Sequence, residues 1–568
     1  MPDTESRDLN ALKRLFADEW GYRVREDPLF ATRCGDHRFN DRLPDVSPEA
    51  YRRRTAQARL FLARLQAIGH DRLPPEAQLN FEFFKREIEN QIAEYEFGAH
   101  FMPLTKSSGP QADFPDLLNI VPLGTLADYE NYLKRLEGFD RFAQEHVELM
   151  RAGIQAGYVP PQVVLSGIAE SIQAHTVDDP AQSLFFRPFE HLPAGLREAE
   201  QSRLRKAGQA AIVNSVVPGY RSLLEFLVHE YTPAARHEVA ASALPNGRAF
   251  YEHRVRKFTS LDLTPQQVYD IGLREVRRIH AEMEEVIRQA GFAGSFREFA
   301  DFMRNERRFY ADTPAALLQH VALIAKKMDG ELPRLFKKLP RTPYGLRPIP
   351  DYIAPNTTSA YYFLPAGDGS TAGFYYINTY DLKSRPLYEY EALSFHEAVP
   401  GHHLQFALQL ELENVPNFRR FGEATAFTEG WALYAERLGL EVGFYRDPDS
   451  NFGRLIFEMW RAARLVVDSG LHYLGWTRQQ AIDYMLENTA LSALNITNEV
   501  DRYIAWPGQA LAYKIGELKI RELRASAEQE LGPKFDVREF HDVVLRHGGI
   551  PLTVLEANVL VWLGIKRD

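Results

Sequence analysis

Residues 264–291 read TPQQVYDIGLREVRRIHAEMEEVIRQAG and carry a complete set of helix signals. Thr264 is a typical N-cap residue, Pro265 suits the first helical turn, and Gln267 can close a capping box. Apolar residues then recur at helical spacing until Gly291, which is placed to end the helix. The apolar face comprises Val268, Gly272, Val276, Ile279, Met283 and Val286. This stretch predicts a long amphipathic helix and, with similar stretches elsewhere, a mainly α fold.

Helical periodicity extends over most of the chain. Ser47–Pro48 begins one further helix, and others are predicted near 76–97, 127–152, 197–230, 313–330, 453–471, 478–490 and 508–531. Strand-forming residues are concentrated in 360–364 (AYYFL) and 373–380 (GFYYINTY), on either side of a connector rich in turn residues. Such a pattern favours a β-hairpin, which we predict over 360–380. The segments 103–126 and 339–358 are predicted to be irregular.

The predicted elements suggest two halves. We expect a helical N-terminal half, 1–235, and a second half, 236–568, that holds the hairpin and, at 386–437, the helices of the candidate site. The two halves could equally form one continuous two-lobed domain. The sequence carries no signal for an oligomeric state.

Composition excludes several classes of protein. The 568 residues are 45% hydrophobic and 25% charged, which is ordinary for a soluble globular chain. No apolar run approaches the roughly 20 residues that span a bilayer. The first residues lack the apolar region of a signal peptide, so we expect a cytoplasmic protein with no membrane partner, or an exported one if a leader was removed. The net charge of −10 does not favour a nucleic-acid partner.

The cysteine content restricts the possible metal ligands. Cys34 is the single cysteine, which excludes an intramolecular disulfide and a cysteine-based metal site. Any metal must therefore be held by His, Asp or Glu.

Residues 391–405 read EALSFHEAVPGHHLQ and contain the residues expected of a metallohydrolase. In the zincin pattern H-E-x-x-H, two histidines lie one turn apart on one helix face. Here Pro400 occupies the fifth position, so the second histidine is His402 or His403, six or seven residues after His396. On a straight helix neither would comfortably share a zinc with the first. Because Pro400 predicts a kink, we favour His402, with His403 as the alternative.

A glutamate on a following helix would complete the site. The downstream stretch EATAFTEGWALYAER carries Glu429, with Glu436 seven positions on and on the same helical face. Catalytic zinc is commonly held by two histidines and one glutamate, with an open position for water. We therefore predict one Zn²⁺ held by His396, His402 and Glu429. Glu397, beside His396, would be the general base that takes a proton from the attacking water.

Four segments resemble a known family. HEAVPGHHLQ, EGWALYAE, FYYINTYDLKSRPLYEYEAL and WPGQALAYKIGELKI resemble the bacterial domain-of-unknown-function 885 family, over about 15–560 and most specifically over 360–560. That family is placed among predicted zinc metallopeptidases related to gluzincins such as thimet oligopeptidase and angiotensin-converting enzyme. The resemblance implies a large helical fold with a deep cleft and a small β-sheet beside the active-site helix. Matching the gluzincin motif H-E-x-G-H to Gly401-His402 again favours His402.

The resemblance also implies roles for residues outside the metal motif. Relatives supply oxyanion donors from a C-terminal helical segment, which here offers Tyr513 as first choice and Tyr503 as second. An edge strand beside their active-site helix pairs with the substrate backbone, and 373–380 would take that place. Expected substrate contacts are Gly373, Phe374, Tyr375, Tyr376, Gln509, Lys514 and His547, with Arg502 and Arg546 as alternatives to Lys514 for a substrate carboxylate.

Three hypotheses for function follow. The first is a zinc-dependent peptidase that cleaves short peptides with Glu397 as general base. The second keeps the metal site but hydrolyses a non-peptide amide or an ester. The third is a metal-free helical binding scaffold with a degenerate zincin motif. A serine or cysteine hydrolase is not favoured, because the chain has no Gly-x-Ser-x-Gly and Cys34 lies in a polar N-terminal stretch.

Overall fold

The computed structural model describes residues 2–351, 354–356, 358–365, 367, 369 and 371–565. The chain divides into two compact units, Met1–Phe250 and Tyr251–Asp568. Helices dominate both units, so the prediction of a mainly α fold is confirmed. No helix in the described part of the chain is both long and apolar enough to cross a lipid bilayer.

The described residues of the first unit form helices joined by loops, with one isolated β-bridge between Pro161 and Arg236. Its helices are α1 (Pro2–Glu26), α2 (Pro28–Arg33), α3 (Pro48–Gln66), α4 (Pro75–Glu96), α5 (Pro110–Asp113), α6 (Leu117–Ile120), α7 (Leu126–Glu137), α8 (Phe139–Ala156), α9 (Ile168–Gln173), α10 (Arg187–Glu190), α11 (Glu198–Ala211), α12 (Val217–Phe226) and α13 (Thr232–Ala234). Short π-helical segments, Ile212–Val216 and Leu227–Tyr231, flank α12. Aromatic rings such as Phe114, Phe139 and Tyr220 pack at the centre of its core.

The second unit combines helices with one small sheet. After α14 (Gly247–Thr259), its helices are α15 (Pro265–Gln289), α16 (Phe296–Asn305), α17 (Pro314–Leu335), α18 (Tyr390–Glu397), α19 (His402–Leu410), α20 (Asn417–Arg420), α21 (Thr425–Leu438), α22 (Pro448–His472), α23 (Arg478–Asn488), α24 (Ala493–Ala505), α25 (Ala512–Leu531), α26 (Val537–Leu545) and α27 (Leu552–Trp562). Helix α22 is buried along nearly its whole length and packs against α15.

Helix α15 forms as its sequence predicts. Thr264 caps it by accepting a hydrogen bond from the Gln267 amide, and the Gln267 side chain completes the capping box. The predicted apolar face is buried. The backbone of Gly291, directly after the last residues of the helix, takes a left-handed φ of 69°. Local signals alone therefore determine both ends of this helix.

The sheet contains the predicted hairpin and one strand that the sequence did not reveal. Strands β2 (Ala360–Phe363) and β3 (Gly373–Ile377) pair in antiparallel fashion, which confirms the hairpin. Strand β1 (Tyr344–Pro348) pairs with β3 in parallel, so the strand order is β1-β3-β2. The prediction of an irregular 339–358 is wrong at β1. The prediction that 373–380 supplies an edge strand is also wrong, because β3 has a paired strand on each side.

Two glycines bring the helices of the candidate site close together. A Cβ built on Gly430 of α21 would lie 2.4 Å from Cα of Gly516 in α25, and one on Gly516 would lie 1.9 Å from the Ala426 carbonyl oxygen. Neither distance is possible for a real side chain, so only glycine permits this crossing. The crossing places the helix that carries Glu429 against the helix that carries Tyr513.

Candidate metal centre

The predicted break in the motif helix is observed. Helix α18 ends at Glu397 and α19 begins at His402, with a short turn between them. A Cβ on Gly401 would lie 2.0 Å from the His396 carbonyl oxygen, so the turn requires glycine there. The Trp431 indole donates a 2.8 Å hydrogen bond to the Pro400 carbonyl and fixes the turn from the neighbouring helix. Trp431 is fully buried.

The turn brings the three predicted metal ligands together. One ligand atom from each of His396, His402 and Glu429 lies within 4.8 Å of the other two. The Nε2 atoms of both histidines lie 3.5 Å from Oε2 of Glu429. The two imidazole rings are nearly perpendicular, at 87°, with centroids 4.8 Å apart.

These separations fit a metal ion better than direct hydrogen bonds. With Zn–N and Zn–O bonds of about 2.0–2.2 Å and tetrahedral angles, ligand atoms lie about 3.4 Å apart. The observed 3.5 Å matches that value and exceeds the usual 2.7–2.9 Å of a charge-assisted hydrogen bond. Oε2 of Glu429 is buried and accepts no hydrogen bond from any described atom. Two imidazoles and one carboxylate are a donor set that zinc prefers, so the residues present fit the ion.

A second carboxylate supports the first histidine. Oε1 of Glu436 lies 2.8 Å from Nδ1 of His396, and both side chains are buried. A carboxylate on the far nitrogen fixes the ring orientation and leaves Nε2 free to bind a metal. Tyr445 donates a 2.7 Å hydrogen bond to the Glu436 carbonyl, and Arg461 lies 3.6 Å from the same Oε1.

Neighbouring charges shift the pKa values of His396 and Glu429 toward their ionised forms. Burial disfavours the charged imidazolium of His396, but Glu429 and Glu436 outweigh it and raise the pKa of His396 to about 9. Burial likewise opposes ionisation of Glu429, yet the two histidines hold its pKa well below the usual range. The carboxylate is therefore ionised near neutral pH, as a metal ligand must be, whereas His396 has to release a proton before its Nε2 can bind a metal.

The other predicted catalytic residues lie in different surroundings. Glu397 is half-buried at the end of α18, directly after His396. The Tyr513 ring lies nearly parallel to the His396 ring, at 19° and 6.5 Å between centroids. Gln509 Nε2 lies 3.5 Å from the Tyr513 hydroxyl. Tyr503 is fully enclosed, and its hydroxyl donates to Glu499 at 2.7 Å.

Lys514 belongs to a separate buried ion cluster. Its ammonium lies 2.9 Å from Glu458, 2.9 Å from Glu517 and 3.1 Å from Glu275, and the side chain is 0% exposed. Three carboxylates thus match the three donors of the ammonium group. The predicted alternative Arg502 donates to Glu499 and to Gln509.

His403 lies outside the cluster. It is buried on α19 with Nδ1 at 2.9 Å from the Tyr362 hydroxyl, and burial lowers its pKa to about 4. The structure thus brings His402, and not His403, to His396.

The predicted substrate-binding residues of β3 make contacts within the sheet. Tyr375 is buried with its hydroxyl 3.5 Å from Ser394 of α18, and the Tyr376 ring stacks on Tyr361. The Arg347 guanidinium lies over the Phe374 ring, and Gly373 faces the Tyr362 ring. Near the C-terminus, half-buried His547 accepts a hydrogen bond from Arg419 through its carbonyl, and Arg546 is exposed.

Two arginines that lie beside the metal-ligand cluster were not identified in the sequence analysis. Arg461 and Arg464 project from α22, which has no recognisable motif. The available signal was indirect: arginines recurring within an otherwise apolar helix, which are seldom buried without a partner.

These features can be set against known proteins. The chain belongs to the family described as "Bacterial protein of unknown function (DUF885)", whose model matches residues 28–559. It is similar to the crystal structure of a "putative lipoprotein" from Colwellia psychrerythraea, with a TM-score of 0.92, 31% identity and 99% of each chain covered. It is also similar in fold to a protein of the same description and unknown function from Shewanella oneidensis, with a TM-score of 0.70, 18% identity and 98% and 99% of the two chains covered. No curated protein matches the chain significantly.

Proposed function

We propose that this protein is a zinc-dependent hydrolase that cleaves short peptides. The observation that carries the proposal is the convergence of His396, His402 and Glu429 within 4.8 Å, with both histidine–glutamate distances at the spacing of tetrahedral zinc ligands. The glutamate directly after His396 and the carboxylate behind it match the requirements of metal-assisted hydrolysis. The gluzincin relationship and the cleft that it implies are part of this proposal.

Zinc would be held by the two Nε2 atoms and by Oε2 of Glu429. When bound, the ion supplies Lewis acidity, which polarises the scissile carbonyl and makes water more acidic. The described cluster provides three ligands, which would leave one position for water or substrate.

The remaining steps belong to residues of the chain. Glu397 accepts a proton from the attacking water and returns it to the leaving amine, so one carboxylate serves as base and then as acid. Tyr513 donates its hydroxyl hydrogen to the developing oxyanion. Burial and Glu429 raise the pKa of Tyr513 above its usual value, so the phenol keeps its proton near neutral pH.

Metal analysis combined with a substrate panel tests the proposal. Protein purified without added zinc is analysed for metal, titrated with Zn²⁺, and assayed on short peptides, non-peptide amides and esters. We expect one zinc per chain and hydrolysis of the peptides. Cleavage of amides or esters alone would favour the second hypothesis. Substoichiometric zinc, with no binding on titration, would favour the metal-free scaffold.

The location of the protein is a further part of the proposal. Because the similar structure from Colwellia psychrerythraea, at 31% identity, carries the lipoprotein description, we propose that this chain works outside the cytoplasm, the second of the two locations considered from the sequence. Fractionation of a bacterium expressing its native gene tests this. Recovery of the protein with the envelope supports export, and recovery with the cytosol contradicts it.

A further inference from the structure

Two buried arginines form one wall beside the candidate metal centre. Arg461 and Arg464 lie three residues apart on α22, a spacing that places both on one helix face. They are 4% and 3% exposed. Their guanidinium carbons lie 6.0 and 4.4 Å from the centre of the Tyr513 ring.

The wall is close to the zinc ligands. Arg461 Nη2 lies 3.6 Å from the same Glu436 oxygen that contacts His396 at 2.8 Å. The Arg464 guanidinium carbon is 4.4 Å from the Tyr513 centroid, which is 6.5 Å from the His396 centroid. The Arg464 guanidinium is therefore no more than about 11 Å from the His396 ring, the sum of these two distances.

Each guanidinium has one buried nitrogen without a hydrogen-bond partner among the described atoms. Arg464 donates from Nε to Tyr503 and from Nη2 to Glu499, and Arg461 donates from Nη1 to the Phe457 carbonyl. Nε of Arg461 and Nη1 of Arg464 are buried and bond to no described atom. A buried charged donor without an acceptor is costly, so the arrangement favours an added acceptor.

The carboxylates nearest to the two guanidiniums are each shared with another cation. Glu436 is shared between His396 and Arg461, and Glu499 is shared between Arg464 and Arg502. Guanidinium groups bind carboxylates with particular strength and geometry. The acceptor that best fits two adjacent guanidiniums is an additional carboxylate.

We propose that Arg461 and Arg464 bind the C-terminal carboxylate of a peptide substrate, one or two residues beyond the scissile bond. The geometry limits the length to a few residues, because an extended chain advances about 3.3–3.6 Å per residue and the Arg464 guanidinium lies within about 11 Å of the His396 ring. This inference rests on the proposed peptidase function and specifies it as the release of short fragments from the free C-terminus.

A pair of matched peptides tests the inference. The same short peptide is prepared with a free C-terminal acid and with a C-terminal amide. Binding of each to the zinc-loaded Glu397→Gln protein is measured by calorimetry, and hydrolysis of each by the wild type is measured as kcat/KM. We expect the acid to be preferred by about tenfold to a hundredfold in both measurements, the range of a charge-assisted hydrogen bond.

Substitutions test whether the two arginines cause the preference for the free C-terminal acid over the amide. Arg464→Gln should remove most of the acid preference while zinc content stays at the wild-type value. Arg454→Gln is the matched control, because Arg454 is a buried arginine of the same helix whose donors go to Glu458 and Asn451. It should retain the full preference even where it lowers the melting temperature.

The outcomes separate this inference from the proposed function. Equal binding of the acid and the amide overturns the inference, whether or not the wild type hydrolyses peptides. Absence of hydrolysis of either peptide by zinc-loaded wild type overturns the peptidase function, and the binding comparison still decides whether the arginines hold a carboxylate. The kcat/KM comparison uses the wild type alone, and the binding comparison can be repeated on the metal-free wild type, so a variant that fails to fold leaves the inference testable.

Discussion

Two of the buried charged clusters in the second unit, around Lys514 and around Glu429, differ in the distances between their charged atoms. Around Lys514, the ammonium contacts three carboxylates at 2.9–3.1 Å. Around Glu429, both histidine nitrogens stay at 3.5 Å from the carboxylate oxygen. The Lys514 cluster satisfies its own ammonium donors, whereas the Glu429 cluster is arranged around a position that a cation would fill.

The contrast shows why burial and charge alone do not identify a site. Tyr513 and Lys514 are consecutive residues of α25, yet the first lies beside His396 and the second enters the ion cluster. Interatomic spacing separates the two kinds of cluster: hydrogen-bond distances indicate a role in stability, and ligand distances indicate a role in metal binding.

The largest effect is expected at Glu397. Glu397→Gln should lower kcat/KM for a short peptide by about 10²–10⁴-fold, because it removes the proton acceptor for water. Zinc content should stay at one per chain, since Glu397 is not one of the three converging ligands. Activity assays with parallel metal analysis check both. Undiminished hydrolysis would exclude this mechanism.

Removal of a ligand should abolish zinc binding without collapse of the fold. His396→Ala leaves two of the three ligands, so we expect near-zero zinc after dialysis. The matched control is His541→Ala, another buried histidine, whose ring contacts Tyr434 and the Leu335 carbonyl. That variant should keep its zinc. Equal zinc retention by both would show that the metal binds elsewhere.

Substitution in the Lys514 ion cluster should have the opposite effect: it should lower stability and leave zinc binding unchanged. Lys514→Met removes the cation that three buried carboxylates share and should lower the free energy of unfolding by about 3–5 kcal/mol. Zinc stoichiometry should not change while the protein stays folded. Denaturant titration and metal analysis measure the two quantities. Loss of zinc from the folded variant would mean that the two clusters are not independent.

A smaller effect is expected from the carboxylate behind His396. Glu436→Gln should weaken zinc binding by about 10–100-fold, the usual result of losing such an outer partner. Competition with a chelating dye measures the affinity. An unchanged dissociation constant would show that Glu436 does not orient the imidazole for a metal.

The smallest predicted effect is the pH dependence of the ion cluster. Burial raises the pKa of Glu458, but Lys514, Arg454 and Arg278 outweigh it and hold that pKa well below its usual value. A group with a lowered folded-state pKa contributes stability that is complete above its unfolded pKa, about 4.3 for Glu, and is lost as pH falls through the folded value. The difference in stability between wild type and Lys514→Met should therefore be constant from pH 8 to about 5.5 and shrink in more acidic solution. Melting curves over this range check it, and a difference that grows on acidification would contradict it.

Local signals predicted much of the fold. Thr264, Gln267 and Gly291 act within one helix turn of their own position, so the bounds of α15 could be read from the sequence. Strand β1 could not be predicted from its sequence, because YGLRP becomes a strand only by pairing in parallel with residues about 29 positions later along the chain. The same pairing places β3 inside the sheet, where the family resemblance implied an edge strand.

The sequence predicted those residues of the candidate site that lie in local motifs, and missed those that reach the site only through packing. His396, Glu397, His402 and Glu429 lie in two recognisable segments, and Pro400 indicated the break that unites the histidines. Arg461 and Arg464 lie on a helix with no motif, and their relation to the site depends on how α22 packs in three dimensions.

The central claim is that His396, His402 and Glu429 bind one zinc ion. Crystals of the protein grown with Zn²⁺, with diffraction recorded above and below the zinc absorption edge, test it most directly. The account predicts one strong anomalous peak about 2.0–2.2 Å from Nε2 of both histidines and from Oε2 of Glu429. No anomalous peak at that position, in crystals soaked to saturation, would contradict it.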